Sequence, residues 1–257
     1  MKLSVVIPAH NEEGCIASTV IELSKHLKSQ SIPHEIIVID DNSTDQTPDI
    51  LRKLSFEISE LRWFRNSPPN GFGYAVRCGL SHFTGDAVAV YMADASDTPS
   101  DLVRFYRTML SEKVDCVFGS RWDKESKVVD YPAFKLVLNR LVNHLIQVLF
   151  GIRYNDVTNA FKLYSKETIR GVEPILSPHF NLTVELPLKA IVRGFSYTVL
   201  PNTWINRKTG ESKLKIKEMG SRYLFIILYC FIEKWLSRGD YHSKPLIEPK
   251  ELSSPSN

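Results

Sequence analysis

The sequence predicts an α/β fold in which a mostly parallel sheet is flanked by helices. Short β-branched apolar runs alternate with segments of helical periodicity through the first half of the chain, and turn residues separate them. Alternation at this spacing is typical of parallel strands joined by helices. The composition agrees, because 257 residues with 43% hydrophobic and 24% charged side chains suit one large globular domain.

Five strands and four helices are expected in the first 120 residues. The predicted strands span Leu3–Ile7, Glu35–Asp40, Leu61–Arg65, Ala87–Met92 and Val114–Gly119. The predicted helices span Glu12–Ser29, Gln46–Ile58, Phe72–Phe83 and Pro99–Leu110. Asn11 is expected to cap the first helix, and Ser43 has the spacing of a capping box with Gln46 before the second.

The pattern changes after residue 120. Further helices are predicted over 132–151, Asn181–Arg193 and Glu218–Leu236, and further strands over Ala160–Tyr164 and Phe195–Leu200. The helices at 132–151 and 218–236 are unusually apolar, which fits either an interfacial membrane contact or helices packed on each other or across a dimer. We divide the chain into a main domain over 1–217, a C-terminal amphipathic helical extension over 218–236 and a flexible polar tail over 237–257.

Charge and cysteine content exclude several classes of protein. The 32 Lys and Arg against 29 Asp and Glu give a net charge of +3, so a dedicated nucleic-acid binder is not expected. The four cysteines form no CxxC pair, which favours reduced thiols in a cytosolic protein. The N-terminal apolar run is too short for a secretion signal, and no run approaches the roughly 20 residues that span a bilayer.

Acidic and polar side chains follow four predicted strands, where ligands bind in open α/β sheets. These clusters are Pro8–Glu12, Asp40–Asp45, Ala93–Asp97 and Gly119–Arg121. Each cluster alone could be a turn, a helix cap or a surface ion pair. Together, at successive strand ends, they favour a site for a divalent cation and phosphates. GxGxxG does not follow the first strand and GxxxxGK[ST] does not occur, so dinucleotide and P-loop sites are not expected.

Six blocks of sequence together resemble family 2 glycosyltransferases, and most closely the dolichyl-phosphate mannosyltransferase-like branch that glycosylates polyprenyl phosphates. The blocks are Ser4–Glu13, Val38–Asp45, Gly71–Leu80, Gly119–Arg121, Asp156–Tyr164 and Asn206–Leu214. Their order and spacing cover roughly residues 3–236. The resemblance implies the GT-A fold, a Rossmann-like sheet flanked by helices. It also implies transfer of a hexose from a GDP- or UDP-sugar with inversion, assisted by Mg²⁺ or Mn²⁺.

The resemblance also implies roles for individual residues. The nucleotide-sugar-binding residues would be Pro8, Ala9, Glu12, Asp40 and Asp41. Asp94 would bind metal and diphosphate with help from Asp97, and Asp156 would lie near the transfer site. Arg121, Arg207 and Lys213 would contact the phosphates of donor and acceptor. Two positions depart from the branch: His10 stands where Tyr is frequent, and Met92 replaces the first Asp of the metal element.

The basic segment at 207–217 by itself is typical of a solvated loop. Beside the two apolar helices it favours a phosphate acceptor, because an anionic oxygen needs positive charge and no general base. We therefore expect a cytoplasmic enzyme that is peripheral on the cytosolic face of a membrane and uses a polyprenyl or dolichyl phosphate. Two alternatives remain open at this stage. One is a soluble family 2 transferase that glycosylates a glycan hydroxyl with Asp156 as base. The other is an inactive scaffold that only binds nucleotide sugars.

Overall fold

The computed structural model of the chain describes residues 1–206 and 216–242, without the side chains of 216–219. The strands are β1 Leu3–Ala9, β2 His34–Asp40, β3 Leu61–Arg65, β4 Ala87–Val90, β5 Cys116–Ser120, β6 Lys127–Val129, β7 Lys162–Ser165, β8 Tyr197–Pro201 and β9 Thr203–Ile205. The helices are α1 Ile16–Ser29, α2 Thr47–Glu57, α3 Phe72–His82, α4 Pro99–Glu112, α5 Ala133–Phe150, α6 Lys166–Gly171, α7 Leu182–Val192 and α8 Ile216–Leu236.

Seven strands form the central sheet in the order β3-β2-β1-β4-β7-β5-β8. All neighbours are parallel except β7, which runs antiparallel to both β4 and β5. The predicted mostly parallel α/β sheet is confirmed. Because parallel strands present their carboxyl ends at one edge, β1, β2, β4 and β5 bring four of the predicted acidic or basic clusters to that edge.

Buried side chains form two cores, one on each face of the sheet. Successive residues of β1 alternate between them: Val5 and Ile7 pack against α1, α2 and α4, whereas Val6 faces α3. The second core also receives Ile146 of α5 and Ile226 of α8. The fold is therefore a three-layer arrangement, and α5 and α8 both contribute to the layer beside α3 and α7.

Helix α8 is attached to the main domain by a buried ion pair as well as by apolar contacts. Arg193, just after α7, donates from Nε to Glu233 Oε1 at 2.7 Å and from Nη2 to Glu233 Oε2 at 3.0 Å. Lys234 contacts the main-chain oxygen of Phe150 at the end of α5. The helix predicted over Glu218–Leu236 is thus packed against α7 and α5.

Several local predictions are wrong. Helix α1 begins at Ile16 rather than Glu12, and neither α1 nor α2 has a side-chain cap. Asn11 and Ser43 instead connect the two loops, since Asn11 Oδ1 accepts from Thr44 N at 2.8 Å and Ser43 Oγ accepts from Asn11 N at 2.9 Å. The short β6–β9 ladder and α6 were not predicted. Thr98 does cap α4, accepting from Asp101 N.

Among the helices of 1–206 and 216–242, none combines the length and apolarity that crossing a bilayer requires.

Candidate active site

Asp41, just beyond β2, is held by two hydrogen bonds from the protein. Its Oδ1 accepts from Asn66 Nδ2 and its Oδ2 accepts from the main-chain N–H of Gly71, each at 2.8 Å. Asp40, the last residue of β2, accepts from Ser43 N at 2.9 Å. These contacts fix Asp41 in orientation before any ligand is bound. The second oxygen of Asp40, Oδ2, is buried without a hydrogen-bond partner among the described residues.

Gly71 at this site cannot be replaced by a larger residue without strain. Its φ of +152° lies in a region that other residues rarely adopt. An added Cβ would also lie 2.7 Å from both His179 Nδ1 and the main-chain oxygen of Pro178. The glycine therefore allows its N–H to reach Asp41 while the segment around Pro178 packs closely behind it.

The end of β1 lies beside these carboxylates. Pro8 and Ala9 are buried opposite Ile39 and Asp40 in the parallel register. His10 Nδ1 lies 2.7 Å from the main-chain oxygen of Asp41, and because a carbonyl only accepts, Nδ1 carries the proton. The predicted nucleotide-binding residues of β1 and β2 are thus adjacent to one another. Glu12, also predicted to bind the nucleotide, follows in the same loop, with its N–H bonded to Thr47 Oγ1 at 2.9 Å.

A cavity of about 690 Å³ opens at the ends of β4 and β5. Polar residues from the strand ends and loops line one part of it: Asp94, Ser96, Asp97, Arg121, Thr158, Asn159, Trp204 and Asn206. Mainly apolar residues of α5 and α8 line another part: Lys135, Leu138, Val142, Leu145, Tyr223, Leu224 and Ile227. We call the part lined by the strand ends and loops the charged end of the cavity, because both carboxylates lie there, and the part lined by α5 and α8 its apolar end.

Asp97 is a buried carboxyl group at the charged end of the cavity, near both Asp94 and Arg121. The residue is 3% exposed, and its Oδ2 is buried without a hydrogen-bond partner in the structure. Burial, reinforced by the neighbouring Asp94, raises the pKa of Asp97 to about 8. Asp94 is half-buried and accepts from Ser96 N at 3.1 Å. A cation near these two carboxylates would offset both the burial and the mutual repulsion.

Arg121 and Asp156 form a bidentate ion pair beneath the cavity. Arg121 Nε donates to Asp156 Oδ2 and Nη2 to Oδ1, each at 2.8 Å, and the Arg121 main-chain N–H donates to Oδ2 at 2.9 Å. Burial by itself would lower the pKa of Arg121, but the carboxylate of Asp156 outweighs it and raises the pKa. Asp156 is fully buried, so its oxygens serve the arginine rather than the cavity.

A polar cluster connects this ion pair to α5. Asn139 Nδ2 and Asn143 Nδ2 donate to Thr158 Oγ1 at 2.7 and 3.0 Å, and Asn143 Oδ1 accepts from Thr158 N at 3.3 Å. Thr158 is two residues from Asp156 and lines the cavity. The inner side of α5 is thereby held by hydrogen bonds within an otherwise apolar helix.

Lys162 of β7 ties together the loop that carries Asp156 and Thr158. Its ammonium donates to the main-chain oxygens of Val157 and Thr183 at 3.0 and 3.1 Å and contacts that of Asn159. Burial lowers the pKa of Lys162 to about 7. The charge is stabilised by carbonyl dipoles from the loop and from the start of α7.

The structure brings some predicted site residues together and separates others. Asp94, Asp97 and Arg121 line one cavity, and Asp156 pairs with Arg121. The predicted nucleotide-binding residues at β1 and β2 lie at the same sheet edge but do not line that cavity. Arg207 and Lys213 lie outside the described residues. Sequence reasoning missed Lys135 in the first turn of α5, and Trp204 and Lys162 on strands.

In the part of the chain that the structure describes, no three His, Cys, Asp or Glu side chains are close enough to hold a metal ion. A cation at Asp94 and Asp97 would therefore need further oxygen ligands from a substrate or from water. This is the usual situation for Mg²⁺, which binds through one or two carboxylates and substrate phosphates. The orphaned Oδ2 of Asp97 fits such a ligand set.

The sheet order, the antiparallel β7 and the acidic strand ends define a GT-A glycosyltransferase fold. Residues 4–172 match the family described as glycosyl transferase family 2. The chain belongs to that family.

Three curated relatives are 25–30% identical to this chain over the residues that align. The glycosyltransferase AglD of Haloferax volcanii is 26% identical over 87% of this chain and 36% of its own length. The dolichol-phosphate mannosyltransferase of Pyrococcus furiosus is 30% identical over 84% of this chain and 60% of its own length. This chain therefore spans about a third and three fifths of those two proteins. The undecaprenyl-phosphate mannosyltransferase of Micrococcus luteus is 25% identical over 91% of this chain and 96% of its own length.

Solved structures of glucosyl-3-phosphoglycerate synthase from Mycobacterium tuberculosis share the fold. The complex with Mn²⁺, UDP and phosphoglyceric acid has a TM-score of 0.68 at 19% identity, covering 90% of this chain and 78% of that one. The complex with Mg²⁺ and UDP has a TM-score of 0.67 at 18% identity, covering 89% and 79%. At this identity the likeness establishes the fold.

Proposed function

We propose that this chain transfers a hexose from a GDP- or UDP-sugar to a polyprenyl phosphate with inversion at the anomeric carbon. The observation that carries the proposal is the cavity, which joins the carboxylates of Asp94 and Asp97 to the apolar sides of α5 and α8. The diphosphate of a nucleotide sugar needs charged surroundings, the chain of a lipid phosphate needs apolar ones, and the two substrates must meet for transfer. The names of the Pyrococcus furiosus and Micrococcus luteus relatives support the same acceptor class.

The donor would lie along the sheet edge. Its nucleoside would bind at β1 and β2, where Pro8, Ala9, Glu12, Asp40 and Asp41 are found. Its diphosphate would face Asp94 and Asp97, the residues that would hold Mg²⁺ or Mn²⁺. When bound, the cation would neutralise the departing diphosphate as a Lewis acid. The complexes of the structural neighbour with Mn²⁺ or Mg²⁺ and UDP support this choice of group.

The acceptor phosphate would enter between the charged and apolar parts of the cavity. Lys135, in the first turn of α5, also lines the cavity, and the dipole at this end of the helix favours an anion. One phosphate oxygen would attack the anomeric carbon as the bond to the nucleoside diphosphate breaks, and no proton needs to be removed. Arg207 and Lys213, outside the described residues, are further candidate phosphate ligands.

The geometry of Asp156 favours this acceptor over a glycan hydroxyl. A hydroxyl acceptor requires a general base within reach of its proton. Asp156, the sequence-based candidate for that base, is fully buried and accepts from Arg121 with both oxygens. We therefore assign Asp156 to holding Arg121 at the transfer site rather than to proton removal.

Exposed apolar side chains on α5 and α8 support peripheral membrane contact. On α5 they are Phe134, Val137, Leu141, Leu145 and Val148, and on α8 they are Leu224, Phe225, Leu228, Ile232, Trp235 and Leu236. The two helices contact each other and border the cavity. Apolar residues in such numbers on contacting helices are typical of a surface that binds another apolar phase. We propose that this phase is the cytosolic leaflet, from which the lipid phosphate enters.

The test is a transfer assay with the full chain, radiolabelled GDP-mannose or UDP-glucose, Mn²⁺ and undecaprenyl or dolichyl phosphate in detergent. Label should move into the organic phase only when lipid phosphate is present. Polyprenyl alcohol of the same length is the matched control, since it lacks the anionic nucleophile.

Three outcomes would overturn the proposal. Transfer to the alcohol as readily as to the phosphate would contradict the anionic acceptor. Water-soluble product from a glycan would instead support a hydroxyl acceptor. Tight nucleotide-sugar binding without turnover across these donors and acceptors would support an inactive scaffold. The scaffold is the second candidate because Met92 stands in place of the first Asp of the metal element.

A further inference from the structure

Trp204 belongs to the β6–β9 ladder, and this ladder places it at the charged end of the cavity. It is the central residue of β9, and the next residue, Ile205, donates its N–H to the main-chain oxygen of Ser96 at 3.0 Å. Ser96 lies in the loop between Asp94 and Asp97. Trp204 is therefore fixed to the loop that carries both carboxylates, whereas the apolar residues of the cavity belong to α5 and α8.

The indole of Trp204 is held in orientation by Tyr131. The two ring centroids are 4.9 Å apart at 60°, and the Tyr131 ring in turn packs on Trp122 at 5.2 Å and lies 5.6 Å from the Arg121 guanidinium. Trp204 remains half-exposed and lines the cavity. Its indole N–H donates to no group among the described residues, so a ligand in the cavity can use both the ring and the donor.

This combination suits a hexose. A pyranose ring presents an apolar C–H face beside hydroxyl acceptors, and tryptophan offers an apolar ring with one N–H donor at its edge. The hexose of a nucleotide sugar follows the diphosphate, and the diphosphate would face Asp94 and Asp97. A side chain tied to that loop is thus placed next to the sugar.

We propose that Trp204 is a specificity-determining residue that binds the hexose of the donor. The inference rests on the proposed function, because it requires a nucleotide sugar at Asp94 and Asp97. The isoprenoid chain of the acceptor would meet the aliphatic residues of α5 and α8 instead.

The test compares binding of a nucleotide sugar with binding of its nucleoside diphosphate. Calorimetric titrations with Mn²⁺ would use UDP-glucose against UDP and GDP-mannose against GDP. Trp204→Ala should weaken the nucleotide sugar that the wild type binds by about five- to tenfold, as expected for one lost aromatic contact. The affinity for the nucleoside diphosphate should stay within about twofold. Trp204→Phe keeps a ring against Tyr131 but loses the N–H, so it should show a smaller loss of the same kind.

Trp122→Phe is the matched control. Trp122 belongs to the same aromatic cluster but does not line the cavity, and its N–H donates to Asn139 Oδ1 at 3.0 Å. This variant should keep the wild-type ratio of the two affinities, even if its Tm falls.

Equal losses for sugar nucleotide and nucleoside diphosphate in a folded Trp204→Phe variant would overturn the inference, as would no loss in either Trp204 variant. A raised KM for lipid phosphate with unchanged donor affinity would place Trp204 against the isoprenoid and also overturn it. If the wild-type chain bound neither nucleoside diphosphates nor nucleotide sugars, the proposed function itself would be overturned.

Discussion

Asp41, beyond β2, and Asp97, beyond β4, have opposite surroundings. Asp41, beyond β2, is buried, and each of its oxygens accepts a hydrogen bond from the protein. Asp97, beyond β4, is equally buried, yet its Oδ2 accepts none and Asp94 stands beside it. Asp41 is therefore fully hydrogen-bonded by the protein. Asp97 keeps a buried oxygen without a hydrogen-bond partner among the residues described, as Asp40 does, and in addition has a second carboxylate beside it.

This difference indicates what each carboxylate is suited to bind. A preorganised carboxylate such as Asp41 is suited to a neutral hydrogen-bonding group, which agrees with the nucleoside site proposed there, because little rearrangement is needed. An uncompensated buried carboxylate favours a cation, because a cation removes the cost of burial and the repulsion together. The following variants test the comparison, beginning with the largest expected effect.

Asp94→Ala should lower kcat/KM by at least about a hundredfold, since it would remove a ligand of the proposed cation at the leaving diphosphate. Its Tm should change little, because Asp94 is only half-buried. Steady-state transfer assays and thermal denaturation would measure the two effects. Asp49→Ala, at an exposed acid of α2, is the control for loss of one negative charge. Wild-type turnover in Asp94→Ala would exclude the metal assignment.

Asp97→Asn and Asp41→Asn should change stability in opposite directions. The native pKa of Asp97 is about 8 and its ordinary value is 3.8, so the native state binds more protons than the unfolded state between these values. Its contribution to stability therefore falls as pH rises through this window. Without metal, Asp97→Asn should raise Tm by about 5 °C near pH 8 and by less near pH 5. Asp41→Asn should lower Tm, because an amide NH₂ would face a donor.

Thermal melts in chelator would measure both variants, and Mn²⁺ titrations would follow. Asp97→Asn should also weaken Mn²⁺-dependent nucleoside diphosphate binding by about tenfold. If Asp97→Asn is destabilised at every pH, the carboxylate has a compensating partner and the comparison fails.

The edge of the sheet could be predicted from sequence because it depends on local patterns. Asp41, Asp94 and Arg121 each follow a β-branched run, and parallel strands place such positions side by side. The Arg121–Asp156 pair could not be predicted, since it joins positions 35 residues apart across an antiparallel strand. Trp204 could not be predicted for a different reason, because β6 and β9 have three residues each, too few for a periodic signal.

The charged and apolar ends of the cavity also differ in polarity. Exposed apolar side chains of α5 allow a third test, which concerns the proposed membrane contact. Phe134 is 72% exposed and Leu141 65% exposed. Replacing both with Ser should weaken flotation with anionic vesicles by about five- to tenfold, because less apolar area would enter the lipid. Phe56→Ser on α2, where Phe is 86% exposed, is the matched control and should bind like the wild type. Equal losses in both variants would contradict a specific membrane face.

The ammonium group of Lys162 is intermediate between the carboxyl groups of Asp41 and Asp97. It is buried and has hydrogen-bond partners, but no carboxylate in the described part of the chain is bonded to it. Its native pKa is about 7 against an ordinary 10.5, so the unfolded state binds more protons between these values. The lysine's contribution to stability therefore rises with pH through this window. Lys162→Met should lower Tm at all pH values, since it leaves three main-chain oxygens without their donor. The Tm difference from wild type should be a few degrees larger near pH 9 than near pH 6.5. A difference that is constant with pH would mean that carbonyl dipoles alone keep the ammonium charged, as protein donors do for the carboxylate of Asp41.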